Sequence, residues 1–153
     1  MQKVKIEAFK IIGIAVRTIN HEETALQDIG QLWNQFMTEG IAEKIPNKLG
    51  TEVFSIYTNY KSDHTEAYDT ILGCKVSTLD NIPKGMVGQS FNGGQYGKFV
   101  AKGDLTQGVI YNKWTEIWGQ ELNREYTADF EIYGAKAQNP KDAEVDVLVA
   151  LKE

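Results

Sequence analysis

A short phrase that occurs twice constrains the fold of this chain more than any other feature of the sequence. Residues 53–57 read Val-Phe-Ser-Ile-Tyr, and residues 129–133 read Asp-Phe-Glu-Ile-Tyr. An apolar segment with helical spacing precedes each copy and carries Trp33 in the first half and Trp114 in the second. A further apolar strand follows each copy. Two copies are too few for a solenoid, so they predict one pseudo-symmetric domain.

The repeat predicts the order strand, helix, strand, strand in each half of a single domain over residues 1–153. The halves are expected at about 1–80 and 84–153. The predicted fold class is α+β, with a pseudo-twofold tandem βαββ repeat and a curved antiparallel sheet. Two helices are expected on one face of this sheet and a ligand cleft on the other, because a sheet buries one face against another layer.

Three local predictions accompany this architecture. Alternating residues over 3–18 predict one long strand that bends at Gly13. The apolar spacing over 105–122 predicts the second helix. Between two short strands, the sequence Asn92-Gly-Gly94 predicts the turn of a hairpin, since Asn and Gly tolerate positive φ.

The second copy of the phrase places a carboxylate among aromatic residues. Side chains alternate between the two faces of a strand. Phe130 and Ile132 are therefore predicted to face the helices, which leaves Glu131 and Tyr133 on the opposite face. In the first copy, Tyr57 shares the face of Glu131. A lone carboxylate among aromatic rings suits a bulky organic cation, because the rings and the carboxylate both favour positive charge.

Composition narrows the classes of function. The net charge of −5 and the presence of only two arginines, Arg17 and Arg124, argue against nucleic-acid binding, which depends on Lys and Arg. No apolar run approaches the ~18 residues of a membrane span, so no membrane association is expected. The single cysteine, Cys74, lies in an apolar strand and predicts a core thiol in a reducing, cytoplasmic setting.

The sequence offers no motif for a metal, a cofactor or covalent catalysis. His21 and His64 lie in polar, loop-like segments without Cys, Asp or Glu at ligand spacing within a helix. The chain has no Gly-x-Ser-x-Gly motif, and its glycines at 85–97 lie between strands rather than at the start of a helix. We therefore expect neither a metal site nor a cofactor site.

Six short segments in a fixed order give the chain a family resemblance. They are Phe9–Ile14, Tyr57–Tyr60, Tyr68–Gly73, Ile82–Met86, Gly94–Phe99 and Asp129–Tyr133. Together with the helix that carries Trp114 and Trp118, they resemble the GyrI-like, or AraC-type, effector-binding domain over nearly the whole chain. The resemblance implies a tandem pair of βαββ units, in agreement with the repeat. It indicates a stand-alone form without a DNA-binding module.

The resemblance also implies a cleft between the halves that binds bulky, cationic and aromatic molecules. Glu131 matches the glutamate that faces the ligand in family members attached to DNA-binding domains. Aromatic walls would come from Tyr57, Tyr133 and Trp114, although helical aromatics such as Trp114 are also typical of a core. Further candidate lining residues are Phe9, Phe91 and Tyr96, while Trp33 is assigned to the core and the roles of Tyr68 and Trp118 stay open.

Three functions remain open at this level. The leading hypothesis is a non-enzymatic sensor or sequestering protein for amphipathic cations, with a regulatory protein as a further candidate partner. The alternative is a hydrolase of small molecules that uses Glu131 and a tyrosine, which requires both groups within hydrogen-bonding reach of the protons they move. The third is a protein-binding inhibitor of a macromolecular target.

Overall fold

The computed structural model describes residues 1–153 and contains one antiparallel sheet of eight strands together with three helices. The strands are β1 (Gln2–Ile6), β2 (Phe9–Thr18), β3 (Val53–Thr58), β4 (Tyr68–Val76), β5 (Val87–Phe91), β6 (Gly94–Gly103), β7 (Ala128–Tyr133) and β8 (Ala143–Ala150). The helices are α1 (Thr24–Thr38), α2 (Ile41–Lys44) and α3 (Val109–Trp118). None of them combines the length and the apolarity that a membrane crossing requires.

The strand order β1-β6-β8-β7-β3-β4-β2-β5 is symmetric about its centre. The order reverses onto itself when β1 is exchanged for β5, β2 for β6, β3 for β7 and β4 for β8. The predicted α+β tandem repeat is therefore confirmed, with a pseudo-twofold axis between β3 and β7. The edge strands are exchanged between the halves, because β1 pairs with β6 and β5 pairs with β2. Each half thus completes the sheet of the other.

Both long helices pack on the same face of the sheet, as predicted, and we call this the helix face. Helix α1 buries Leu32 against β2 and β4, and α3 buries Trp114 against β6 and β8. Apolar residues at three- and four-residue spacing produce the buried stripe of each helix. Helix α3 is shorter than the predicted 105–122, because Gly108 with its left-handed φ of 74° interrupts the segment.

The opposite face of the sheet is concave and buries an apolar core without a helix. Phe9 on β2 lies three strands from Phe130 on β7 and is also displaced along the strands from its row, so the two residues would be more than roughly 14 Å apart in a flat sheet. Their ring centroids are nevertheless only 5.3 Å apart. Phe54 and Tyr96 belong to the same cluster. The sheet therefore curls over this side, which we call the concave face.

The prediction that Phe130 and Ile132 face the helices is wrong. Phe130 packs in the concave-face core, whereas Glu131 and Tyr133 contact tryptophans of α3 and α1 on the helix face. Helix α1 packs on β2 and β4, and α3 packs on β6. The curvature of the sheet buries the apolar side of the two central strands, β3 and β7. Alternation separated these residues correctly into two sets, but it did not show which set the helices covered.

Two predictions about the strands are also wrong. The segment 3–18 forms two strands, with a break at Glu7 and Ala8, rather than one long strand. Strands β5 and β6 do not form a hairpin across their glycine-rich connection, because β5 pairs with β2 while β6 pairs with β1 and β8. Asn and Gly tolerate positive φ in a crossing connection as well as in a hairpin, so local chemistry does not distinguish the two.

The connections 7–8 and 92–93 pack against each other where the sheet curls. Gly93 has a φ of 74°, and a Cβ at this position would lie 2.1 Å from the carbonyl oxygen of Ile6. Glycine satisfies both the left-handed backbone and the close approach. The crossing that closes the concave face therefore depends on this residue.

Gly93→Ala is expected to lower the free energy of unfolding by about 2 kcal/mol, because its backbone is left-handed and its Cβ meets Ile6. Urea denaturation of the variant and the wild type measures the difference. Gly50→Ala is the matched control, since a Cβ there has nothing within 4 Å. We expect the control to change stability by less than about 0.5 kcal/mol. Equal stability of the two variants would contradict a tight crossing at Gly93.

Candidate functional site

Glu131 lies at the centre of the molecule. It is directly opposite Ser55 in the pairing of β7 with β3, and the two residues hold the same position in the two copies of the repeat. The pseudo-twofold axis therefore passes between them. Glu131 is 1% exposed and Ser55 is 0% exposed. A single carboxylate is thus buried on the axis that relates the halves.

Three neutral side chains donate hydrogen bonds to the Glu131 carboxylate. The hydroxyl of Tyr133 donates to Oε1 at 2.5 Å. The hydroxyl of Tyr57 and the indole Nε1 of Trp114 both donate to Oε2, each at 2.7 Å. No lysine, arginine or histidine forms a salt bridge with Glu131. The carboxylate is therefore held by dipoles and has no counter-charge.

The buried surroundings change the titration of this cluster. Burial raises the pKa of the Glu131 carboxyl above its ordinary value, and the three hydrogen bonds offset part of the rise. Burial, together with the nearby Glu131 charge, raises the pKa of Tyr57 and of Tyr133 well above the ordinary value for tyrosine. Both phenols therefore stay protonated and act as donors. A positive charge at this point would stabilise the ionised carboxylate.

Two symmetry-related pairs of aromatic rings flank Glu131. Trp33 of α1 packs edge-on against Tyr133, with ring centroids 4.9 Å apart. Trp114 of α3 packs edge-on against Tyr57, with ring centroids 5.6 Å apart. Trp33, Tyr57 and Tyr133 are half-buried, and Trp114 is buried. We call the region between α1 and α3 the crevice; partly exposed aromatic rings border it and the carboxylate lies at its base.

A buried ion pair lies beside the crevice. Arg124 donates to Oδ2 of Asp129 at 2.8 Å, and Asp129 is 0% exposed. Tyr60 donates to the same oxygen at 2.5 Å, and the guanidinium carbon lies 4.3 Å from the ring centroid of Tyr126. The sequence did not predict that Asp129 pairs with Arg124, because a pair five residues apart outside a helix has no periodic signature.

Tyr68 and Trp118, whose roles the sequence left open, border the same region. Tyr68 packs edge-on against Tyr57, with ring centroids 5.9 Å apart, and donates to Asn20 at 2.6 Å. Trp118 stacks on His64, with ring centroids 5.4 Å apart. Both side chains extend the aromatic surroundings of the crevice toward the connection between β3 and β4.

The structure divides the predicted site residues between the two faces of the sheet. Those that meet in the crevice on the helix face are Glu131, Tyr57, Tyr133 and Trp114. Those that lie instead in the concave-face core, and are not part of the crevice, are Phe9, Phe91 and Tyr96. Trp33 packs against the core beneath α1, as the sequence predicts, and its ring also contacts Tyr133 beside Glu131. Its alignment with Trp114 in the repeat is the signal that identifies it.

The raised pKa of Glu131 predicts a pH-dependent cost to stability. Below the ordinary pKa the carboxyl is protonated in both states, so the cost is absent. As pH rises above the ordinary pKa, the unfolded chain ionises first, so the free energy of unfolding falls until the pH has passed the raised pKa of the folded state. Glu131→Gln is therefore expected to be more stable than wild type by about 0.5–2 kcal/mol at neutral pH. Urea denaturation of both proteins should show this gap closing toward acid pH; a gap independent of pH would contradict the assignment.

The fold and the crevice together place the protein among effector-binding domains. Residues 4–151 match the model of the integron-associated effector-binding proteins, a family called Cass2. The chain therefore belongs to this family. The resemblance to effector-binding domains predicted from the sequence is confirmed, and the chain is an effector-binding domain related to the ligand domains of transcription regulators.

Three similar proteins illustrate the relationship. The integron cassette protein VCH_CASS2 of Vibrio cholerae is 30% identical, with a TM-score of 0.76, over 99% of this chain and 95% of that chain. YobU of Bacillus subtilis (strain 168), described as a candidate transcriptional regulator, is 26% identical over 94% of this chain and 92% of YobU. The structure of SAV2435 bound to tetraphenylphosphonium is 16% identical, with a TM-score of 0.81, over 99% of this chain and 93% of SAV2435. At that identity the likeness concerns the fold alone.

Proposed function

We propose that this protein binds amphipathic organic cations with aromatic groups in the crevice at Glu131. The observation that carries the proposal is a carboxylate, 1% exposed, whose three partners are all neutral. An ionised carboxylate without a counter-charge is costly in such surroundings. Burial raises the pKa of Glu131 for the same reason, and a cation in the crevice offsets that cost.

The aromatic walls determine which cations suit the crevice. Each ring that faces a cation contributes about 0.5–2 kcal/mol, and the two Trp–Tyr pairs also offer apolar surface to a ligand with several rings. A small inorganic ion makes no use of this surface. Ring faces impose no single hydrogen-bonding pattern, so we expect broad selectivity among such cations. Binding of this kind suits the sensing or sequestration of these compounds.

A relative with the same fold supports the choice of ligand class. SAV2435 has been solved bound to tetraphenylphosphonium, a cation whose charge is enclosed by phenyl rings. A central charge with apolar rings around it complements a carboxylate floor with aromatic walls. Tetraphenylphosphonium is therefore a suitable probe for this chain.

Tetraphenylphosphonium is expected to bind with micromolar affinity at a single site and to quench tryptophan fluorescence, because Trp33 and Trp114 flank the crevice. Calorimetric titration measures the affinity. Triphenylphosphine oxide is the matched control, since it has similar rings without a net charge, and we expect it to bind at least about tenfold more weakly. Equal affinities, or no binding of the cation, would overturn the proposal.

A further inference from the structure

A cavity of about 660 Å³ opens at one end of the concave face, on the other side of the sheet from Glu131. Phe91, Tyr96 and Ala150 line its apolar part, and Glu125 and Glu153 are among the residues at its polar part. None of its lining residues is a lysine or an arginine. The cavity therefore combines aromatic surface with negative charge, away from the crevice.

The repeat explains why this cavity exists. Phe54 and Phe130 are equivalent, and they pair with Gly73 and Leu148 respectively. Two residues further along β4 and β8, Lys75 is therefore equivalent to Ala150. Lys75 pairs with Ile11 and Ala150 pairs with Tyr96, so Ile11 is equivalent to Tyr96. Phe9, two residues before Ile11, is therefore equivalent to Gly94, two residues before Tyr96. The isolated bridges of Lys48 with Val76 and of Arg124 with Leu151 obey the same correspondence.

The concave face has two equivalent ends, one in each half of the repeat. Side chains fill the end in the first half, and the end in the second half lacks those side chains. Lys75 Nζ lies 5.5 Å from the ring centroid of Phe9 and 5.7 Å from that of Phe54. At the other end Gly94 stands in place of Phe9 and Ala150 in place of Lys75, and both line the cavity. The cavity thus occupies the place that a ring and a lysine side chain fill in the first half.

The two ends of the concave face also differ in charge, and the end with the cavity is the more negative. By the correspondence of the isolated bridges, Glu125 is equivalent to Leu49 and Glu153 to Thr78. The end that lacks the lysine therefore carries two carboxylates and one ammonium, that of Lys152, where the lysine-filled end carries neutral residues, which is a net gain of one negative charge. Loss of an internal ammonium and gain of negative charge both favour a cation from outside.

We infer that this cavity binds a primary alkylammonium group, the group that Lys75 carries at the equivalent place in the first half. The alkyl chain packs on Tyr96 and Phe91, and the ammonium lies toward Glu125 and Glu153. The chemical class is that of small alkylamines, including those with more than one amine. This site is separate from the crevice at Glu131 and does not depend on the function proposed for it.

The probe is n-hexylammonium, titrated into ¹⁵N-labelled Glu131→Gln protein so that binding at the crevice is weakened. We expect amide shifts to cluster at 89–96, 125–128 and 150–153. The neutral probe n-hexanol is expected to bind about two- to fivefold more weakly, because it forms no ion pair with the two exposed carboxylates. Shifts centred on Trp114 and Tyr133, or no saturable shifts, would overturn the inference.

Ala150→Lys tests whether the cavity exists because a lysine is missing. The new side chain is expected to fill the cavity as Lys75 fills the equivalent place in the first half. It is expected to weaken hexylammonium binding at least about tenfold. Because this variant changes a buried position, a second variant with Glu125→Gln and Glu153→Gln alters only exposed side chains and is expected to weaken binding about two- to fivefold. Lys75→Met is the control and should bind as the parent does. Unchanged binding in the folded Ala150→Lys protein, or in the double variant, would contradict the site.

Discussion

Glu131→Gln is expected to weaken the binding of tetraphenylphosphonium by about 10- to 100-fold, the factor that corresponds to the loss of a contact with a charged group. Glutamine keeps the size of the side chain. Its amide oxygen in the place of Oε2 accepts hydrogen bonds from Tyr57 and Trp114, and its NH2 group in the place of Oε1 donates to the hydroxyl of Tyr133. The aromatic walls therefore stay in place, and only the negative charge is removed. Calorimetric titration of the variant and the wild type gives the ratio of affinities.

Two controls separate the charge of Glu131 from the overall charge of the protein. Glu121→Gln removes one negative charge at an exposed position and is expected to leave the affinity within about twofold of wild type. Binding of triphenylphosphine oxide should be nearly the same in all three proteins, because it carries no net charge. A Glu131→Gln protein that binds the cation as tightly as wild type would remove this residue from the site.

Removal of the Arg124 charge should have the largest effect on stability. Arg124→Met is expected to lower the free energy of unfolding by about 3–5 kcal/mol, because it leaves the carboxylate of Asp129 buried without its counter-charge. Asp129 is 0% exposed, and Tyr60 and the backbone N–H of Ala150 are its remaining donors. Urea denaturation at neutral pH measures the loss.

A double variant shows whether the loss comes from the unpaired charge. Arg124→Met with Asp129→Asn removes both charges and is expected to recover at least about half of the lost stability. Lys61→Met is the control, since its ion pair with Glu66 is exposed on both sides, and it should cost less than about 1 kcal/mol. If Arg124→Met cost no more than Lys61→Met, the buried pair would not stabilise this region.

The two buried carboxylates of β7 have opposite consequences for the protein. Asp129 and Glu131 are two residues apart and share the helix face. Asp129 has a cationic partner in Arg124, so its charge is balanced within the folded chain. Glu131 has only neutral donors, so its charge is not balanced within the folded chain, and in the function that we propose a bound cation balances it. Within one strand, one buried carboxylate is thus paired with a cationic side chain of the same protein and the other is not.

The central strands show how far the sequence predicts the site. Alternation along 53–57 and 129–133 put Glu131, Tyr57 and Tyr133 on one face, and the structure agrees. The alignment of the repeats placed Trp33 and Trp114 at equivalent points, and their rings flank the same carboxylate. Strand periodicity and duplication are properties of short segments, which is why they can be read without a structure.

The sequence by itself thus determined the pseudo-symmetric α+β repeat and which residues of β3 and β7 point the same way. Only the tertiary structure decided that the helices cover the Glu131 side, that the connection at Gly93 is a crossing, and that Phe9, Phe91 and Tyr96 belong to the other face. These features follow from the curvature of the whole sheet. Curvature brings the ring centroids of Phe9 and Phe130 to 5.3 Å from each other. These residues are so far apart in the chain that no local pattern encodes their contact.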